Sequence, residues 1–179
     1  MKVKQLILGP FETNCYILEK DNKVLIIDPA DQADRIINAV GDNLVVGIII
    51  THYHPDHVGA LEKIKKHYNA KVYDIKNLKL ENNNIDGFNF DVIHTPGHKN
   101  DLITVYFKKE ASMFCGDFIF YGSIGRWDLP EGDFSKMKES IKNILTYPLD
   151  TKIYPGHGPI TVLGNEAFTL NYFMNSNFY

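Results

Sequence analysis

The stretch Thr51-His52-Tyr53-His54-Pro55-Asp56-His57 decides how the rest of the chain is read. His52, His54, Asp56 and His57 are all able to bind a metal, a density that ordinary surface decoration does not produce. At this chain's own His and Asp content, H-x-H-x-D-H arises by accident on the order of once in a thousand chains of this length, so it is a hypothesis for structural context to support. In an extended segment His52 and His54 project to one side, because side chains alternate with period two. Pro55 then ends the extended run, and Asp56 and His57 follow at the start of a helix. One loop thus offers two imidazoles to one ion, and a carboxylate with an imidazole to a second nearby. The bland alternative is a His-rich loop that only caps a helix, but burying three imidazoles and a carboxylate without a cation leaves costly polar groups.

Working outward, Leu44 to Ile50 is a nearly unbroken apolar run, as expected of a strand covered on both faces, and it delivers the motif directly. Val58 to Tyr68 carries apolar residues at Val58, Leu61, Ile64 and Tyr68 with lysines between them, the pattern of an amphipathic helix. The motif is therefore predicted to sit in a strand-to-helix loop. Upstream, Val3 to Leu8, Asn14 to Glu19 and Lys23 to Ile27 read as an antiparallel meander, and Asp31 to Val40 as a helix stopped by Gly41. Downstream, Lys71 to Ile75, Phe88 to His94, Leu102 to Phe107 and Ser112 to Cys115 read as strands, followed by a turn-rich segment from Asp117 to Gly132. Phe134 to Leu145 reads as an amphipathic helix, Lys152 to Tyr154 as a short strand, and the aromatic-rich C-terminal part as helical. An α+β arrangement of two mixed sheets face to face, with helices on the outside, satisfies this order.

Composition narrows the function. The 179 residues fall in the usual size range of one domain, and the whole chain is read as one. A formal charge of −3 provides no basic field for nucleic acid. No apolar run approaches the ~20 residues that span a bilayer, and the N-terminus has no apolar leader core, so a cytoplasmic location off the membrane is expected. Cys15 and Cys115 are too few for a disulfide scaffold and cannot form a CxxC site, so any metal is held by His and carboxylates. Oligomeric state is left open.

Three later positions repeat one arrangement, a His or Asp after a glycine at a strand end: Thr95-Pro96-Gly97-His98, Cys115-Gly116-Asp117 and Tyr154-Pro155-Gly156-His157-Gly158. Each alone is weak, since Asp and His in Gly/Pro turns are usually structural. With the opening motif they bring five of the seven histidines, His52, His54, His57, His98 and His157, into candidate ligand positions. They could supply two metal sites, His52, His54 and His98 at one and Asp56, His57 and His157 at the other, with Asp117 bridging. Imidazoles and carboxylates without thiolate suit two divalent ions, zinc first and iron or manganese as alternatives. Zinc lowers the pKa of bound water to about 7, which points to hydrolysis.

The combination T-H-x-H-x-D-H, T-P-G-H, G-D and P-G-H-G resembles the metallo-β-lactamase superfamily, whose αβ/βα sandwich agrees with the layer reading. Residues 116–130 and 156–161 are similar to the short glyoxalase II-like hydrolases, which cleave thioesters such as S-lactoylglutathione. That resemblance implies the same seven ligands and a dinuclear thioester hydrolase: a metal-bound hydroxide, oriented by Asp56 and Asp117, attacks the carbonyl while the metal at His52, His54 and His98 polarises its oxygen. Departures leave the thiol carrier open. The chain has no room for the C-terminal helical domain of full-length glyoxalase II, and Lys99-Asn100-Asp101 follow T-P-G-H where the family usually has threonine and small residues. A mononuclear-iron persulfide dioxygenase and a non-catalytic, metal-stabilised binding domain are the competing readings.

Candidate substrate contacts are Arg126, whose guanidinium fork suits a carboxylate, together with Tyr121, Trp127 and Lys99. An ion pair of Arg126 with Asp128 or Glu131 is the structural alternative. His67, His94 and Cys115 are read as bland, and Phe168, Tyr172, Phe173, Phe178 and Tyr179 as aromatic cover for the core.

Overall fold

The structure, a computed structural model, describes residues 1–176. Strands β1 (Lys2–Leu8), β2 (Thr13–Lys20) and β3 (Lys23–Ile27) form the expected meander, with Leu8 opposite Thr13 and Lys20 opposite Lys23. Asp21 and Asn22, at φ 52° and 59°, make the tight β2–β3 turn, a conformation that short polar side chains tolerate. Helix α1 (Ala33–Val40) returns the chain to β4 (Leu44–Ile49), which runs parallel to β3. Helices α2 (Pro55–Val58) and α3 (Leu61–Tyr68) then lead to β5 (Val72–Tyr73), completing a five-stranded sheet in the order β1-β2-β3-β4-β5.

The second sheet begins with β6 (Asn83–Ile85), β7 (Phe88–His94), β8 (Ile103–Phe107) and β9 (Ser112–Gly116). A hairpin of β10 (Ile119–Phe120) and β11 (Ser123–Ile124) and helix α4 (Phe134–Ile144) precede β12 (Lys152–Pro155), β13 (Thr161–Val162) and α5 (Leu163–Asn175). Strand order is β13-β12-β9-β8-β7-β6, with β12 parallel to β9.

Side-chain alternation produces the layers. Tyr16, Leu18, Leu25 and Ile27 of the first sheet meet Phe90, Val105, Phe107 and Phe114 of the second in one apolar cluster, where Phe114 stacks on Tyr154 at 4.5 Å. The opposite face of the first sheet, through Ile17, Ile26 and Ile48, packs on Ile36 of α1 and Ile64 of α3. The outer face of the second, through Met113, Cys115 and Ile153, packs on Met137 and Ile141 of α4 and Leu170 of α5. The result is the four-layer αβ/βα sandwich. Each fully buried Ile, Leu or Phe contributes about 1.5–3 kcal/mol over its exposed state.

Three expectations change. The single helix over 58–68 is two, because Ala60 N donates to the Pro29 carbonyl at 3.0 Å and a Cβ at Gly59 would strike the Ala30 carbonyl, pinning the chain there. Strands β6, β10, β11 and β13 have two or three residues each, too short to show a period. Phe168 and Tyr172 do not cover the core, being 85% and 59% exposed on α5, whereas Phe173 packs partly against it; Phe178 and Tyr179 lie outside the described residues. Among the described residues, no helix is long and apolar enough to cross a membrane.

Candidate metal centre

All the expected donors arise at one end of the sandwich, just past the carboxyl ends of β4, β7, β9 and β12. The β4 apolar run ends at Ile50, the chain bends at Thr51, and His54, in extended conformation, precedes Pro55 at the first helical position of α2. Proline suits that position, where its missing N–H has no partner to lose. His52 and His54 thus come from the segment before α2, and Asp56 and His57 from its first turn. His98 comes from the turn after β7, which α4 secures: Asp133 N donates to the Gly97 carbonyl at 2.8 Å and the Ser140 hydroxyl to that of Pro96 at 2.7 Å. Asp117 and His157 follow two adjacent parallel strands joined by Gly156 N donating to Gly116 O at 2.8 Å. Glycine is required at position 156, since a Cβ there would lie 2.7 Å from His57 Cε1 and strike Asp117 Oδ1.

The seven donor side chains fall into two sets. His52, His54, His98 and Asp117 bring one ligand atom each within 4.8 Å of one another, and Asp56, His57 and His157 do the same. Asp117 touches both: its Oδ1 is 3.2 Å from His57 Nε2, and its Oδ2 is 3.5 Å from His98 Nε2 and 3.5 Å from His157 Nε2.

Hydrogen bonds behind the rings determine which nitrogen faces inward. The Thr51 hydroxyl donates to Asp28 Oδ2 at 2.6 Å, so it can accept from His52 Nδ1 at 3.2 Å. His57 Nδ1 faces Asp28 Oδ2 at 2.9 Å, His98 Nδ1 the Arg126 carbonyl at 2.7 Å and His157 Nδ1 the Phe11 carbonyl at 3.0 Å. Each of these partners is an acceptor, so in the neutral ring each Nδ1 carries the proton and each Nε2 turns its lone pair to the centre. His54 contributes Nδ1, 3.1 Å from His52 Nε2 and 2.8 Å from His98 Nε2. One proton on His54 cannot satisfy both of those lone pairs. His57 Nε2 and Asp117 Oδ1 are likewise buried without a hydrogen-bond partner. Converging lone pairs and orphaned buried atoms are what a cation resolves, and the donor set fits divalent metal ions.

Titration in the metal-free chain tells the same story. Burial would push His57 down, but the charges of Asp117 and Asp28 outweigh it and raise it to about 10. His157, disfavoured by burial but held by Asp117 and Asp56, is pushed up to about 9. Burial opposes ionisation of Asp117, yet the neighbouring His57 and His157 hold it well below the usual carboxylate range. His52 is pushed down by burial and by the charge on His57. Protons thus sit on His57 and His157, while burial keeps His52 neutral.

Several contributors are invisible in the motif. Asp28, the residue after β3, accepts from Thr51 N at 2.8 Å as well as from the Thr51 hydroxyl and His57. Thr13 donates to Asp56 Oδ2 at 2.8 Å, and Tyr53 ties the loop to Asp74 through its hydroxyl at 2.7 Å. Asp28 left one faint signal, a carboxylate following four buried apolar residues at the end of β3; its position beside Thr51 depends on the β3–β4 pairing.

The outer candidates have these surroundings. Arg126 makes a two-pronged, exposed pair with Asp128, both contacts at 2.9 Å. Lys99 Nζ lies 3.0 Å from Glu131 and 3.4 Å from Asp101. Tyr121 is exposed on the turn between β10 and β11. Trp127 packs on Phe134 with ring centroids 4.6 Å apart, which makes it part of the α4–α5 core rather than an open wall. Cys115 is fully buried in β9, and His94 donates to or accepts from nothing in the centre, pairing with the Asn100 carbonyl at 2.8 Å.

This sandwich, with its His/Asp cluster at one end, defines the class of metal-dependent αβ/βα hydrolases. The chain belongs to the metallo-beta-lactamase superfamily, whose sequence profile matches residues 8–89 and 73–157. It is 32% identical over 98% of its length to the hydroxyacylglutathione hydrolase GloC of Haemophilus influenzae, covering 99% of that protein. The crystal structure of BLEG-1, a B3 metallo-beta-lactamase, superposes with a TM-score of 0.91 at 33% identity, covering 98% of this chain and 100% of that one. That of TTHA1623 in a di-iron-bound form gives 0.86 at 30% identity over 93% and 98%.

Proposed function

We infer that this chain, acting as one domain in the cytoplasm, is a dinuclear-metal hydrolase that cleaves a thioester, S-lactoylglutathione or a related acyl-thiol. The observation that carries this reading is the contact of Asp117 with both donor sets, at 3.2 and 3.5 Å. On this reading His52, His54 and His98 hold one ion, Asp56, His57 and His157 the other, and Asp117 bridges. Zinc is the preferred ion, with manganese and iron as alternatives; likeness to the di-iron form of TTHA1623 supports the last. Bound divalent ions supply Lewis acidity toward a carbonyl and lower the pKa of water.

The chain's own residues do the rest. Asp56 and Asp117 would hold and orient the attacking water, and the Thr13 hydroxyl fixes the Asp56 carboxylate at 2.8 Å. Buried His52, His57 and His98 exclude bulk water, which strengthens every electrostatic interaction there. Lys99, Tyr121 and Arg126 border the thiol carrier. No serine or cysteine nucleophile is needed, and the thiol of Cys115, pushed up to about 12 by burial, is unsuited to be one.

Metal analysis of the purified protein, combined with an anaerobic panel of acyl-thioesters read by free-thiol release, tests the reading. Two ions for the two donor sets and thiol release are expected. Oxygen uptake on a persulfide without thiol release would assign a dioxygenase instead, and one tightly held zinc without turnover a structural site.

A further inference from the structure

A cavity of about 250 Å³ opens against the centre beneath the β1–β2 turn, walled by Leu8, Pro10, Phe11, Ala30 and Pro55. Asp56 and Thr13 line it too, so the cavity and one donor set share a side chain. Leu8 and Ala30 are buried in the core, which fixes the floor, while the Phe11 ring is 70% exposed at the rim. Gly9 and Gly59 add no side chain to the space. None of the lining residues is cationic, and Asp31 adds a carboxylate, its Oδ1 accepting from Gln32 N at 2.6 Å. The surroundings of His98 are the opposite: its Nδ1 is bound to the Arg126 main chain, and Lys99, Arg126, Asp128 and Glu131 cluster in the adjoining loops.

We propose that this cavity receives the acyl group of the substrate, and that the acyl group is short, apolar and uncharged rather than hydroxylated or carboxylated. The assignment rests on the thioester-hydrolase reading. A thioester joins two chemically different halves at one carbonyl. Thiol carriers are recognised through polar and charged groups, which the loops near His98 supply, and an apolar acyl chain gains by leaving water for the Leu8–Phe11–Pro55 walls. Asp31 repels an acyl carboxylate, and the Thr13 hydroxyl, committed to Asp56 Oδ2 at 2.8 Å, is not free to donate to a lactoyl hydroxyl. In the reaction the C–S bond breaks, a C–O bond forms with water oxygen, and one water proton ends on the departing thiolate, giving a short fatty or aromatic acid and a thiol.

Acetyl, butyryl, benzoyl, lactoyl and succinyl thioesters of one neutral thiol, N-acetylcysteamine, separate the possibilities on metal-loaded enzyme. Their unreactive ketone analogues, with CH2 in place of sulfur, are titrated in parallel by calorimetry. Butyryl and benzoyl are expected to exceed lactoyl and succinyl in kcat/KM by about ten-fold or more, the scale on which one apolar group discriminates in a pocket. Ketone affinities follow the same order, and Phe11→Ala, at an exposed position, compresses both series. Equal values across the acyl groups, a preference for lactoyl, or ketone affinities insensitive to Phe11→Ala would overturn the assignment while leaving thioester hydrolysis intact. Ordered ketone binding without any thioester turnover would keep the cavity and sink the hydrolase reading.

Discussion

His57 points its Nδ1 at Asp28, 2.9 Å away, and leaves its Nε2 buried beside Asp117 without a hydrogen bond. One ring is thus braced from behind by a carboxylate outside the seven donors and presented forward to the centre. Asp28→Ala removes the brace of His57 and both bonds to Thr51. Loss of such outer partners typically costs about 10–100-fold in metal affinity. Competition with a chelating dye measures this, and Asp28→Asn, which keeps the shape, is expected to lose less.

Asp117→Ala deletes the carboxylate that, among the described residues, contacts both donor sets. Metal content falls and thiol release is abolished together. Plasma emission spectroscopy on the purified variant checks the first and a thiol assay the second; unchanged metal content would sink the bridging role.

Metal binding near pH 7 should release protons, because His57 and His157 in the metal-free chain hold theirs up to about 10 and about 9. Calorimetric metal titrations in two buffers of different ionisation enthalpy count them. The same protons stabilise the metal-free fold. A proton bound more tightly in the folded chain than at the ordinary value of 6.5 contributes fully below pH 6.5, and the contribution is lost as pH rises through 9 and 10. The melting temperature of metal-free protein therefore falls from pH 6.5 to 10, and that of metal-loaded protein falls less.

Glu166, buried on α5, accepts from the Thr161 hydroxyl at 2.6 Å and from Gly122 N at 2.7 Å, tying the β10–β11 hairpin to the helix. Glu166→Ala strands the buried Thr161 hydroxyl, at about 1–3 kcal/mol for a buried unsatisfied group, and releases Gly122 N. Denaturant unfolding reads the loss. Hydrogen exchange is expected to rise at residues 119–124, and metal content to be retained.

The metal donors were legible because each sits in a short local pattern: two alternating imidazoles before Pro55, a carboxylate and imidazole in the first helical turn, and Gly-His or Gly-Asp after a strand. The long strands and helices were legible for the same reason, since a repeat of two or 3.6 residues is written in neighbouring positions. The break at Gly59 was not, because its cause is the Ala30 carbonyl, 29 residues away in the chain. The exposure of Phe168 and Tyr172 was not either, because aromatic content does not reveal which helix face meets a sheet.

By itself, then, the sequence pointed to two mixed sheets with helices outside and to seven candidate donors in short local motifs, and the structure brings those candidates together in two groups. Only the tertiary structure decided that Asp28 braces His57, that the Arg126 main chain orients His98, and that an apolar cavity adjoins Asp56. These depend on strands β3 and β4 lying side by side and on loops from distant elements closing over one end of the sheets. Such contacts join residues whose separation along the chain carries no periodic signal, so only the packed fold can bring them into view.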